Sequence, residues 1–262
     1  MKLTTLAENT SCREDIGAEH GLSLYLETGN RKILFDAGQT SLFSENAKKL
    51  GIDLTQVDTF VLSHGHYDHG GGLSTFMSLN KKARIYASDL CFGDFYNGPD
   101  KYIGLNPILR DSLRILPVSE KTDLKDGLTL YPGRLVPTPR KIQSFGLCCR
   151  HGHLWTPDTF LHEQYLLLEE NGKRILFSGC SHRGILNITE HFKPDILIGG
   201  FHFKKLDPEK DRDQLQEAAE ELLKLPTKYY TCHCTGTAQY DVLKTIMGDR
   251  IQYLSAGSQL EI

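Results

Sequence analysis

Residues 24–38 read LYLETGNRKILFDAG, and residues 166–180 read LLLEENGKRILFSGC. The two stretches align without a gap. Leu24, Leu26, Glu27, Ile33, Leu34 and Phe35 recur as Leu166, Leu168, Glu169, Ile175, Leu176 and Phe177. Each copy is an apolar strand, a turn with Gly and Asn, a basic pair and a second apolar strand, the pattern of a β-hairpin. The segment after each copy also repeats. In the first half, Phe43, Ala47 and Leu50 share one face of a helix predicted over Leu42 to Leu50, with Gly51 as terminator. The strand Thr59-Phe60-Val61-Leu62 then runs into His64. In the second half a short helix is predicted over Ile185 to Phe192, and the strand Asp195-Ile196-Leu197-Ile198 runs toward His202. Two such halves predict a duplicated α/β unit whose helices cover the outer faces of two packed sheets.

Beyond the repeat, Asp207 is a predicted cap with Pro208 at the first position of a helix to about Leu225, stopped by Pro226. Ala238 to Met247 carries Val242, Leu243, Ile246 and Met247 on one side. Arg84 to about Trp155 mixes short strand-like runs with Gly and Pro, and reads as part core strand and part loop near the site. The 262 residues are taken as one domain over 1–262, long enough to bury a core without disulfides. A net charge of −3 gives no global basic field, so nucleic acid is not expected as a partner, although a local basic patch around an anionic substrate is compatible with it. No apolar run of about 18 residues suggests a membrane span, and Met1 to Glu8 lacks the apolar core of a secretory signal. The seven cysteines are odd in number, and Cys148/Cys149 and Cys232/Cys234 are too close for easy bridging. Reduced thiols and a cytoplasmic location are expected.

The chemistry centres on His64-Gly65-His66-Tyr67-Asp68-His69. In a tight loop after a strand, His64 and His66 can point into one cavity as neutral imidazole ligands for zinc, iron or similar ions. Asp68 and His69 then turn to a neighbouring position and can hold a second metal. Each metal needs at least one further ligand. Tyr67 is read as packing, and Gly70-Gly71-Gly72 as leaving room for substrate and letting backbone approach closely.

The run SHGHYDHGGGL at 63–73 resembles the HxHxDH signature of the metallo-β-lactamase superfamily, and the duplicated hairpin is similar to that family's αββα sandwich. EHGLSLYLET at 19–28, FDAGQTSLFSENAKKLGIDL at 35–54, SGCSHRGILNI at 178–188, GGFHF at 199–203 and HCTGTA at 233–238 resemble the branch named for dihydropterin–ribofuranosylaminobenzene-phosphate synthase, many members of which are known only as metal-dependent hydrolases. The resemblance implies further roles. Asp36 would orient metal-site histidines. His233 matches the last histidine of the superfamily, a ligand of the second metal. Cys180 stands where many relatives have an Asp bridging both metals, and its thiolate is a possible ligand. The usual third-histidine motif is absent. His182 is taken as the third ligand of the first metal, with His153 and His162 as alternatives, and His20 as a pocket-lining residue.

Other residues carry open readings. His202 follows a strand end that the duplication makes equivalent to that of His64, and is either a substrate contact and proton donor or a core histidine. Thr235-Gly236-Thr237 precedes a helix and either holds an anion or caps that helix. Arg140, Lys141, Arg150, Arg183, Lys204 and Lys205 are candidate phosphate partners, most of them expected at the surface. The reading is a hydrolase with two divalent metal ions, zinc first and manganese or iron as alternatives. His64, His66 and His182 hold one ion. Asp68, His69 and His233 hold the other, with Cys180 adding to either. Asp68 and His202 are the catalytic candidates, and the expected partner is a small phosphate ester or phosphodiester. The alternative implied by the branch is a transferase joining a pterin pyrophosphate to a ribosyl-aminobenzene phosphate. A di-iron redox enzyme is disfavoured, because such relatives carry Glu at the place of His66 and a flavodoxin domain for which no length remains.

Overall fold

A computed structural model describes residues 1–29 and 31–262; Asn30, placed in the first hairpin turn by the sequence reading, lies outside the described residues. Two seven-stranded sheets form the frame. The first runs, in spatial order, Gln259–Glu261, Lys2–Ala7, Ser23–Thr28, Arg31–Phe35, Thr59–Val61, Arg84–Ser88 and Ile115–Val118. The second runs Ile251–Tyr253, Lys228–Thr231, Ile196–Ile198, Lys173–Phe177, Gln164–Glu170, Leu128–Pro132 and Thr122–Lys125.

The internal echo is a structural duplication. In the first hairpin Leu24 pairs with Phe35, Tyr25 with Leu34 and Leu26 with Ile33. In the second, Leu166 pairs with Phe177, Leu167 with Leu176 and Leu168 with Ile175. Each hairpin is then joined in parallel by the strand after its helix, Phe35 opposite Val61 and Phe177 opposite Ile198. Side-chain alternation explains why the strand centres are continuously apolar: both of their faces are buried. Leu24, Leu26, Ile33 and Phe35 meet Leu166, Leu168, Ile175 and Phe177 between the sheets. Tyr25 and Leu34 turn outward to Phe43 and Ala47 of helix Leu42–Lys49. Leu167 and Leu176 turn outward to Ile185 and Ile188 of helix Ile185–Phe192. Equivalent residues also touch across the halves. The Phe35 and Phe177 rings lie 5.9 Å apart, and the Thr28 hydroxyl donates to the Glu170 carboxylate, 142 residues further on.

Two expectations are corrected, both on helix starts. The long helix begins at Arg212 and ends at Leu223, with Asp211 at its cap. Asp207 caps an earlier turn instead, its Oδ1 accepting from Glu209 N–H at 3.0 Å and Lys210 N–H at 3.1 Å. The following helix is Thr237–Met247, one residue longer at its start than expected. The middle of the chain supplies a third sheet of four strands, Leu154–Pro157, Leu147–His151, Phe95–Asn97 and Lys101–Tyr102, beside the site. Among the described residues, no helix is long and apolar enough to cross a membrane.

Candidate metal centre

Strand Thr59–Val61 delivers Ser63, His64 and His66 to the cleft where both sheets end. Gly65 is obligatory there, since a Cβ would lie 2.1 Å from the Cys91 carbonyl oxygen. The loop can therefore fold tightly against that backbone and aim both imidazoles one way. Of the two uses given to the glycine run, only close approach is realised. A Cβ on Gly72 would lie 2.2 Å from the Ala37 carbonyl oxygen, so the run is pressed against the neighbouring loop and does not line the cavity.

Three histidines are oriented through Nδ1. Asp36, in the left-handed region at φ 61, ends strand Arg31–Phe35. Its carboxylate accepts from Ser63 N–H at 2.7 Å, Ser63 Oγ–H at 2.6 Å and His69 Nδ1–H at 2.6 Å. With its proton given to Asp36, Ser63 Oγ accepts from His64 Nδ1–H at 2.8 Å. Asn9 Oδ1 accepts from His233 Nδ1–H at 2.8 Å, and Glu8 accepts the His233 backbone N–H at 2.6 Å. Each bond turns the Nε2 of its histidine into the cleft. His64 Nε2 then lies 3.3 Å from His182 Nε2, and His69 Nε2 lies 3.2 Å from His233 Nε2 and 3.1 Å from Cys180 Sγ. Two nitrogens bound tetrahedrally to one zinc ion at about 2.0–2.1 Å would be separated by about 3.3 Å. Spacing and donor set therefore fit a metal ion.

Electrostatics divides the centre into two environments. Burial, reinforced by neighbouring imidazoles, holds His64 and His182 well below the usual histidine range and His66 down to about 3. Neutral imidazole is the ligand form. His66 Nε2 and His182 Nδ1 are buried and make no hydrogen bond among the described residues. For His69 burial also lowers the pKa, but the Asp36 and Asp68 carboxylates outweigh it and raise the group to about 9. That field favours positive charge, whether a proton or a metal ion carries it. Burial pushes Asp68 up, yet His69, His20 and His233 hold it well below the carboxylate range.

Among the described residues, donor atoms converge in four groups: His64/His66/His182, His64/His69/Cys180, His20/Asp68/His233 and His66/Asp158/His162. The expected first trio is one of them. The expected second trio, Asp68/His69/His233, is not one of them: His233 Nε2 lies 3.3 Å from Asp68 Oδ2 and 3.2 Å from His69 Nε2, but it is His20, 3.2 Å from Asp68 Oδ2, that completes the group around Asp68 and His233. Sequence reasoning gave His20 only a lining role and passed over Asp158. A carboxylate four residues before His162 was the available signal. Both ring nitrogens of His162 are engaged, Nδ1 by Gly65 N–H at 3.0 Å and Nε2 by Asp158 at 3.1 Å, so this ring braces the metal loop. His153 is exposed on the turn beyond His151 and belongs to none of these groups.

His202 also stands outside the four groups. The strand ends Val61 and Ile198 are equivalent, but His202 lies one residue further on than His64. Its backbone is left-handed at φ 58, its N–H meets Cys234 Sγ at 3.3 Å, and its ring packs 4.1 Å from that of His182. A cavity of about 330 Å3 opens onto His66, Asp68, Cys180, His182, His202 and His233. Lys204, Lys205 and the unanticipated Lys101 also line it. Of the other basic candidates, Arg140 and Lys141 line a neighbouring cavity, and the three arginines have protein partners. Arg183 donates to the carbonyls of Thr159 and Val136, Arg140 pairs with Glu221 at 3.0 Å, and Arg150 with Asp94 at 3.1 Å. The Thr235 hydroxyl accepts from Phe201 N–H at 2.8 Å, and the helix Thr237–Met247 starts at Gly236 with no side-chain cap bond, so the Thr capping reading is not realised.

The family model described as the metallo-beta-lactamase superfamily matches residues 16–232. The chain belongs to that superfamily. The match includes Asp36, the run from His64 to His69, Cys180 and His182, and stops one residue before His233. An uncharacterised protein of Methanocaldococcus jannaschii is 32% identical over 208 residues, 75% of this chain and 77% of its own length. The 7,8-dihydropterin-6-methyl-4-(beta-D-ribofuranosyl)-aminobenzene-5'-phosphate synthase of the same organism is 28% identical, covering 98% of this chain and 95% of its own. Among solved structures, Tm1679, a metal-dependent hydrolase of the β-lactamase superfamily, superposes with a TM-score of 0.85 at 28% identity, covering 100% of this chain and 99% of its own. These relatives support the branch suggested by the sequence. In this member of the superfamily, Glu8 and Asn9 come from the loop just after strand Lys2–Ala7, far in sequence from the histidine they hold.

Proposed function

We propose that this protein is a hydrolase of phosphate esters or phosphodiesters with two divalent metal ions, zinc first and manganese or iron as alternatives. The observation that carries this reading is the pair of Nε2–Nε2 approaches, 3.3 Å at His64/His182 and 3.2 Å at His69/His233, beside a cavity with three lysines. His64, His66 and His182 would hold one ion, and Asp68, His69 and His233 the other, with Cys180 between them. When bound, the ions would lower the pKa of water and stabilise charge developing on the attacked phosphoryl oxygen.

The chain's own residues supply the rest. Asp68 would accept a proton or orient water, with His20 and His233 holding its carboxylate in place. His202 would donate a proton to the leaving oxygen or bind a phosphoryl oxygen. Lys101, Lys204 and Lys205 would neutralise the phosphate. A small phosphorylated substrate and a cytoplasmic setting, where the thiols stay reduced, complete the proposal. The test is a panel of phosphodiester, phosphomonoester, lactone and thioester on metal-reconstituted protein. Turnover of phosphate substrates is expected, and turnover of lactone or thioester alone would replace the substrate class.

A second reading is favoured by the synthase relative that covers 98% of this chain. The same centre would then assist loss of pyrophosphate from a pterin pyrophosphate during condensation with a ribosyl-aminobenzene phosphate. Pyrophosphate release that depends on the arylamine selects this reading, and release without it selects hydrolysis.

A further inference from the structure

A second cavity, about 220 Å3, lies on the other side of the same two imidazoles. His182 and His202 line both it and the cavity of the metal centre. We propose that this second chamber binds a flat aromatic group of the substrate, while the phosphate occupies the lysine-lined cavity beyond His202. The inference rests on the reading of the first cavity as the catalytic one.

Four features support this division. Phe145, Phe201, Phe203 and Ile185 give the chamber an apolar, partly aromatic wall, with Arg140, Lys141 and Glu217 also in the lining. Such walls suit a ring with two apolar faces. At the mouth, Gln214 Nε2 donates to Gln143 Oε1 at 3.3 Å, so two amides are placed to pair with the polar edge of a heteroaromatic ring. His202 is pinned as a partition by its left-handed backbone and its N–H bond to Cys234 Sγ, and its Nε2 is buried with no hydrogen-bond partner among the described residues. That nitrogen would meet the atom joining the two parts of the substrate. Volume is the fourth. Small-molecule sites commonly span about 300–1,000 Å3. The metal-side cavity alone sits at the foot of that range, and the two chambers together lie well inside it.

Calorimetry on metal-depleted protein tests the division without relying on turnover. The probes are methyl phosphate and 1-naphthyl phosphate. Naphthyl phosphate is expected to bind about tenfold more tightly or better, from the apolar area its rings bury. Ala218→Trp, on helix Arg212–Leu223 facing the chamber, should abolish that advantage and leave methyl phosphate binding unchanged. Phe145→Ala, at a half-buried loop position, should reduce the advantage without the folding risk of added bulk. Equal affinity of the wild type for both probes, or an advantage that survives both substitutions, would overturn the proposal. Hydrolysis of both compounds by metal-reconstituted protein is measured in parallel. A naphthyl preference in binding with no hydrolysis of either would sink the phosphomonoester part of the hydrolase reading and leave the aromatic chamber standing.

Discussion

Asn9→Ala isolates the orientation of one proposed ligand from the ligand itself. Asn9 holds His233 Nδ1 at 2.8 Å, while the His233 backbone N–H remains fixed by Glu8. The substitution therefore frees the ring while the short Glu8 bond keeps the His233 backbone in place. The substitution also removes two longer bonds of 3.4 Å, from Asn9 Nδ2 to the His233 carbonyl and from Gly21 N–H to Asn9 Oδ1, for a total cost of about 1–3 kcal/mol in stability. The diagnostic effect falls on metal binding, because the imidazole can now rotate and adopt the other tautomer. Loss of a partner that orients a metal-bound histidine typically weakens binding about 10–100-fold, or roughly 1.4–2.8 kcal/mol. Competition against a chromophoric zinc chelator reads this directly. The ion held by His233 should weaken by that factor, and the ion held by His64, His66 and His182 should be unaffected. Asn9→Asp keeps the acceptor and adds negative charge, so it should restore wild-type affinity or exceed it. Two ions bound as tightly to Asn9→Ala as to the wild type would refute the argument.

The histidine assignments and the core give further tests. His182→Ala should lose the first ion, whereas His162→Ala, whose ring nitrogens are already engaged by Gly65 and Asp158, should keep it; the reverse stoichiometry would reassign the ligand. His202→Ala should retain both ions and slow turnover by about 10²-fold or more. A defect that shrinks with good leaving groups identifies an acid, and one that persists identifies a phosphate contact; loss of an ion would make His202 a ligand. Phe35→Leu and Phe177→Leu should show a coupling of about 0.5–1.5 kcal/mol in denaturant unfolding, because their rings meet between the two halves. Strict additivity would remove that contact from the energetics of the duplication.

The fold was legible because both hairpins are buried on both faces, and burial leaves a long apolar imprint in sequence. Leu24 to Phe35 and Leu166 to Phe177 carry it, and the pairing register follows the alignment residue by residue. The helix at Arg212 was misplaced because Asp207-Pro208 is equally suited to start a turn, and only the tertiary bonds of Asp207 decide between them. The four-stranded third sheet escaped notice because its strands are short and only partly buried, so they lack a strong alternation. At the metal centre, the local run His64 to His69 announced itself. Glu8, Asn9 and Asp158 did not, since what they contribute is reach across the fold, and His20, read only as lining the pocket, also approaches Asp68. Asn9 meets a histidine 224 residues away, and no local spacing encodes that.

Elemental analysis of protein reconstituted with zinc, manganese or iron and freed of excess ion tests the central claim most directly. The proposed donor sets, with neutral buried imidazoles at His64, His66 and His182 and carboxylates beside His69, predict tight binding of up to two ions per chain. Substitution of His64 or His233 should each lower that content. Less than about a tenth of an equivalent in the wild-type protein would contradict the account, given the affinity expected of such clusters.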